Sequence, residues 1–235
     1  MRSGKVEKAL TMREERRMKN RETVRIKNEP PRLTAGEEIV NTLSHALGAG
    51  LAVAAMVLLL LRSRTGLEIM ASCFYGVSMV LMLMMSSVYH ALPAGSSAKR
   101  ICRRFDYLSI YLLIGGTYAP ILLVYLGGRL GVALFCLQWC VIITGVVLVS
   151  VFGPGRWRWL HFTLYFTMGW LGVMFVPSFL SHAPMLLWFV LAGGVVYTLG
   201  MIPFARHRPY NHCIWHMYVL LAAVLHWFGI YTQIY

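Results

Sequence analysis

The sequence predicts an all-α integral membrane protein, a bundle of seven transmembrane helices, and three observations carry that prediction. The chain of 235 residues is 58 % hydrophobic and only 13 % charged, with a mean hydropathy of +0.62, which is too apolar for an ordinary soluble domain. Crossing the hydrocarbon layer as a helix takes roughly 20 apolar residues. Seven such runs follow one another, at 39–61, 68–92, 104–126, 130–151, 157–178, 184–204 and 212–234. The connections between them are short and leave no room for a soluble domain.

Residues 1–33 are of a different kind, with eleven Lys/Arg and five Glu mixed along the segment. Such a segment cannot bury a core, and it lacks the apolar stretch of a signal peptide. It is expected to be a cytosolic tail, disordered or helical on the surface, attracted to anionic lipid. The membrane domain then runs over 34–235.

The first span opens with Glu38, Asn41 and His45, which fall at i, i+3 and i+7 on one helix stripe. Interhelical hydrogen bonding is the expected role, with service around a neighbouring site as the alternative. The second span ends in Ser86-x-x-x-His90, again one face of a helix. The third begins beside Asp106, the only aspartate of the chain. Seven of the nine acidic residues lie at or before Glu38, so a carboxylate at the mouth of this apolar run stands out. An acidic group at such a depth is costly and is expected to have a partner or a task. A salt bridge to Arg100, Arg103 or Arg104 would be the plain explanation.

Spans four to six carry no comparable polar cluster. His161, His182, His207 and His226 have no convergent partners in the sequence, and core or interfacial roles are expected for them. The five cysteines (Cys73, Cys102, Cys136, Cys140 and Cys213) are scattered without a C-x-x-C pair, which argues against both a disulfide framework and a cysteine metal cluster. The seventh span opens with His212 and His216, one turn apart on one face and near enough to share a metal ion. Taken alone, the pair could equally hydrogen-bond neighbouring helices. Position 213 is cysteine, so the glutamate of a His-Glu-x-x-His site is missing.

Orientation follows from the basic residues, which concentrate in short cytoplasmic loops. The connections after spans two, four and six carry eight Lys/Arg against three after spans one, three and five, and the amino-terminal segment adds eleven to the first side. The amino terminus is therefore expected in the cytoplasm and the carboxyl terminus outside. Because the basic residues follow this rule, the net charge of +13 reports topology and gives no reason to expect a nucleic-acid partner.

This topology brings His90, Asp106, His212 and His216 within a turn or two of the same membrane face. Three imidazoles would fill three corners of a tetrahedral zinc site and leave the fourth for water. Zinc lowers the pKa of such a water toward about 7. Asp106 would then accept or orient the water's proton, and Ser86 would hydrogen-bond the water or a developing oxyanion. Haem is disfavoured, since His212 and His216 on one face cannot approach a ring from opposite sides.

Taken together, Glu38-x-x-Asn41-x-x-x-His45, Ser86-x-x-x-His90, Arg104-Phe105-Asp106-Tyr107 with Ile110 to Pro120, and His212-x-x-x-His216 resemble the hemolysin III branch of the progestin and adipoQ receptor family. The resemblance covers residues from about 34 to 235. It implies a seven-helix bundle with a cytoplasmic amino terminus in the cell membrane, which would be the inner membrane of a bacterium. It also implies a zinc ion held by His90, His212 and His216, with Asp106 and Ser86 as water-contacting or catalytic residues. Relatives include lipid amidases of the alkaline ceramidase type, so the resemblance implies hydrolysis of a membrane-lipid amide or ester. The alternative is a lipid-sensing or membrane-homeostasis protein with structural zinc. The haemolytic effect that names the branch fits poorly with seven resident spans as a native activity.

Overall fold

A computed structural model describes residues 12–16, 18, 19, 22–24, 26, 28–206 and 208–235. His207 and much of the 1–33 tail lie outside the described residues. Among the described residues, seven helices are long and apolar enough to cross a membrane: α1 Ala35–Arg62, α2 Gly66–Ala91, α3 Ser97–Leu126, α4 Gly128–Phe152, α5 Arg158–His182, α6 Pro184–Ala205 and α7 Asn211–Gln233. The described residues contain no strand. The protein is a multi-pass membrane protein.

Local chemistry sets the helix ends. Thr34 and Thr65 each cap a helix reciprocally with the glutamate three residues on, Glu37 for α1 and Glu68 for α2. α1 therefore starts four residues before its apolar run. Ser96 accepts from the Lys99 N–H and caps α3, which starts seven residues before its run and carries Lys99, Arg100, Arg103 and Arg104 inside the helix. Two helices change pitch. α3 widens to a π-helix over Pro120–Leu126, and α5 tightens to a 3-10 helix over Trp170–Phe175, just before Pro177. The ring of Pro177 crowds the carbonyl four residues earlier, inside the 3-10 segment, and each proline removes one backbone donor from its helix.

α2 and α3 are the inner pair. Half of the apolar window of α2 and 61 % of that of α3 are buried, against 22 % for each of α1, α4, α5 and α6. The two helices touch closely at Gly116, where an added Cβ would lie 2.7 Å from the Phe74 carbonyl oxygen and against the Ser78 hydroxyl. Small residues at such crossings let backbones approach in lipid, where no hydrophobic force drives helices together. Tyr75, Met79 and Leu83 of α2 pack with Ala52 and Leu59 of α1 and with Val219, Ala223 and Ile230 of α7. Tyr111 of α3 packs with Ile142 and Val149 of α4 and with Met168 of α5. The outward Leu, Ile, Val and Met side chains would be a liability in water and are ordinary in lipid.

The described end of the tail is tied to the bundle. The Asn28 side chain donates to the Phe152 carbonyl (2.9 Å) and accepts from the Gly155 N–H (2.8 Å), while Arg103 donates to the Asn28 and Glu29 carbonyls.

Candidate metal centre

The beginnings of α1, α3 and α7 and the end of α2 lie at one end of the bundle. There the Nε2 atom of His212 is 3.2 Å from Nε2 of His90 and 3.2 Å from Nε2 of His216. The ligand atoms of the three side chains all fall within 4.8 Å of one another, so the group could hold a metal ion. His90 and His216 are each 2 % exposed. The helical spacing of His212 and His216 aims both rings the same way, and α2 supplies the third from across the bundle.

The α1 stripe backs this group. One Glu38 oxygen lies 2.7 Å from Nδ1 of His90, and the other accepts from the Lys99 ammonium at 2.8 Å. His45 stacks on His216 with ring centroids 3.7 Å apart and planes 17° apart. The interhelical hydrogen bonding expected of Glu38 is present, and its partner is one of the three histidines. Asn41 is fully buried, with its carboxamide nitrogen 3.5 Å from His90 Nδ1.

Asp106 does not belong, among the described residues, to the set of ligand atoms within 4.8 Å. Its carboxyl group faces His90, the buried Ser86 hydroxyl and Arg103. The other two arginines weighed as partners are engaged elsewhere: Arg104 donates to the Ser150 carbonyl, and Arg100 to the Gly95 carbonyl and the Ser97 hydroxyl. Ser86, Asp106, His212 and His216 line one end of a cavity of about 170 Å³ inside the bundle. The rest of its wall is largely apolar and reaches Ile121 of α3 and Ile230 of α7, near the opposite end.

Two residues of this end escape a reading of the sequence by motif. Lys99 looks like its basic neighbours, yet it is only 1 % exposed and donates to Glu38 and to the His90 and Leu92 carbonyls. Glu37 is 4 % exposed; besides capping α1 it accepts the Tyr210 N–H at 2.8 Å, tying the start of α1 to the start of α7. The Thr34-x-x-Glu37 spacing is the signal that finds Glu37. For Lys99 no local signal exists.

The remaining described histidines lie outside the centre. His161 meets the Tyr111 hydroxyl at 2.9 Å, His182 the Ser178 carbonyl at 3.2 Å, and His226 the Val190 carbonyl at 3.2 Å. All five cysteines are free, and buried Cys213 faces the Glu37 carbonyl.

Comparison with known proteins identifies the family. The profile of the family described as "Haemolysin-III related" matches residues 33–227. Hemolysin-3 of Bacillus cereus is 34 % identical over 200 residues, covering 82 % of this chain and 89 % of its own length. The Hemolysin-3 homolog of Bacillus subtilis (strain 168) is 33 % identical over 192 residues, 80 % of this chain and 89 % of the relative. Monocyte to macrophage differentiation factor of Homo sapiens is 26 % identical over 208 residues, 86 % of each chain. With a profile spanning most of the chain and two relatives above 30 % identity, this seven-helix protein belongs to the haemolysin-III-related family, the hemolysin III branch of the progestin and adipoQ receptor family.

Proposed function

We propose that the protein is a zinc-dependent hydrolase acting on an amide or ester of a membrane lipid, with His90, His212 and His216 as the metal ligands. The observation that carries this reading is a converging set of imidazole nitrogens at the polar end of an apolar cavity that also exposes Ser86 and Asp106. At Zn–N distances of about 2.0–2.1 Å, two nitrogens of a tetrahedral site stand about 3.3–3.4 Å apart. The spacings of 3.2 Å suit that geometry. Three neutral nitrogen donors without a thiolate also suit a site that keeps a position open.

When bound, zinc would supply a Lewis acid that lets water ionise near neutral pH and polarises a carbonyl. The chain's own residues do the rest. Asp106 accepts the proton of the attacking water and later returns it to the leaving amine or alcohol. The Ser86 hydroxyl, donating to Asp106, holds that carboxylate in place and offers its lone pairs to the same water. The apolar wall receives the acyl chain, and burial there excludes competing water. In this reading the centre faces the cytoplasmic leaflet of the cell membrane, on the side where most basic loops lie, and the basic tail meets anionic headgroups there.

The second reading is a lipid-sensing protein in which the ion is a pin between α2 and α7. It is favoured by the way Glu38, Lys99 and Glu37 brace those same helix ends. The name Hemolysin-3, borne by two relatives, adds a lytic activity to the outcomes to be tested. Purified protein in phospholipid vesicles, supplied with a fluorescent ceramide or a fluorescent phospholipid ester, decides among them. The hydrolase reading expects zinc-dependent release of the acyl chain and its loss in Asp106→Asn. No release from either substrate by zinc-loaded protein would sink it, and leakage of erythrocytes without hydrolysis would favour the lytic reading.

A further inference from the structure

We infer that buried Lys99 and the half-buried Glu38 it holds are a positioning device for His90, keeping its ring in the Nδ1–H form so that a bare Nε2 faces the three-histidine centre. The inference deepens the metal reading above and rests on it for one of its two readouts only.

The arrangement joins three helices at one side chain. Glu38 of α1 meets His90 Nδ1 through Oε2 at 2.7 Å and Lys99 Nζ through Oε1 at 2.8 Å. Lys99 of α3 also donates to the His90 carbonyl at 3.3 Å and the Leu92 carbonyl at 2.9 Å, at the end of α2. One ammonium therefore holds both the backbone of His90 and the carboxylate that grips its ring. An ammonium has three donors, and here each has an acceptor. At 1 % exposure that satisfaction matters, because a buried charge without partners would be strongly destabilising. A carboxylate flanked by a lysine can only accept, so the proton between Glu38 and His90 belongs to Nδ1. Nε2 is left with its lone pair, the atom that lies 3.2 Å from His212 Nε2.

The opposite form has a sponsor nearby. The Asn41 carboxamide nitrogen, a donor, lies 3.5 Å from the same Nδ1. Were Asn41 to donate there, the ring proton would sit on Nε2 and that nitrogen could bind no metal. The shorter contact from Glu38 settles the competition, and Lys99 keeps Glu38 in place to make it. Carboxylates that orient a ligand histidine in this way typically contribute 10–100-fold in metal affinity.

The test uses full-length protein in nanodiscs, with ring-labelled histidine and the His90 signals identified by their absence in His90→Ala. In zinc-free wild type, the ring nitrogen shifts of His90 should report the Nδ1–H form. Glu38→Gln, whose amide can donate as well as accept, should shift His90 toward a mixture and weaken zinc binding about 10–100-fold in competition with a chelator. Lys99→Met keeps Glu38 and should move both readouts the same way by less, so it carries the test if Glu38→Gln does not fold. A purely structural role would lower thermal stability and leave the ring form alone. His90 remaining in the Nδ1–H form in these variants, or zinc affinity equal to wild type, overturns the inference. A wild type that takes up no zinc refutes the metal reading instead, while the ring spectra still decide this one.

Discussion

Gly116→Ala should destabilise the protein through the α2–α3 crossing, and the size of the effect can be worked from the contact. The new Cβ would stand 2.7 Å from the Phe74 carbonyl oxygen and would also meet the Ser78 side chain. The Ser78 hydroxyl can rotate away at the cost of its hydrogen bond to the Tyr75 carbonyl, but the Ser78 Cβ, 2.8 Å from the new atom, and the Phe74 backbone carbonyl cannot. Reaching ordinary van der Waals contact needs about 0.7 Å more room between the two helices. Overpacking of this kind costs about 1–3 kcal/mol, or about 2–4 °C in Tm per kcal/mol for a chain of this size. Gly50→Ala is the matched control: its Cβ meets nothing within 4 Å, and removing a helical glycine should be neutral or stabilising by up to about 1 kcal/mol. Thermal unfolding in detergent followed by tryptophan fluorescence reads both. If the proposed hydrolase reading holds, the Gly116 variant should also lose lipid turnover before it loses metal, because α2 carries Ser86 and His90 and α3 carries Asp106. A Gly116→Ala protein as stable as wild type would refute the close-crossing argument.

Three further outcomes follow from the same contacts. Glu37→Ala removes the acceptor of Thr34 and of the Tyr210 N–H, and should cost about 1.5–3 kcal/mol in thermal or denaturant unfolding, with weaker metal binding because α7 loses its tie to α1. Stripping metal with a chelator should lower Tm, and zinc added back to about 100 times its Kd should restore about 2.7 kcal/mol; unchanged Tm on adding zinc would contradict a metal bound by the folded state. On the proposed hydrolase reading, Asp106→Asn should keep its metal and lose about 10²–10⁴ in turnover, the usual contribution of a positioned proton acceptor; metal loss as complete as in the histidine variants would make the aspartate a ligand.

The seven spans were legible because lipid imposes its own arithmetic: a run of apolar residues long enough to cross has one structural solution. Their ends were less so. Hydropathy sees where polar residues begin, but α1 and α3 start where Thr34 and Ser96 cap them, several residues earlier and in polar sequence. The Thr34-x-x-Glu37 and Thr65-x-x-Glu68 spacings mark such starts, and the pitch changes have their signal in Pro120 and Pro177.

Convergence of His90, His212 and His216 could be read because i, i+4 spacing fixes a face and alternation of spans fixes a depth. Lys99 could not. In a run containing Arg100, Arg103 and Arg104 nothing local marks Lys99 as the residue to be buried; the choice is made by Glu38 and by the open carbonyls at the end of α2. Glu38 was half legible: its stripe on α1 points to an interhelical bond, while the identity of its partner depends on how α1 packs against α2. For Asp106 the sequence offers arginines and a histidine site alike, and the structure keeps Arg103 near while giving the carboxylate the Ser86 hydroxyl.

The central claim is that three histidines from two helices hold one metal ion, and elemental analysis of the purified protein tests it most directly. Wild type should carry near-stoichiometric zinc, and His90→Ala, His212→Ala and His216→Ala should each lose most of it while remaining monodisperse. Wild type free of metal after purification and zinc loading, or histidine variants that keep wild-type zinc, would contradict it.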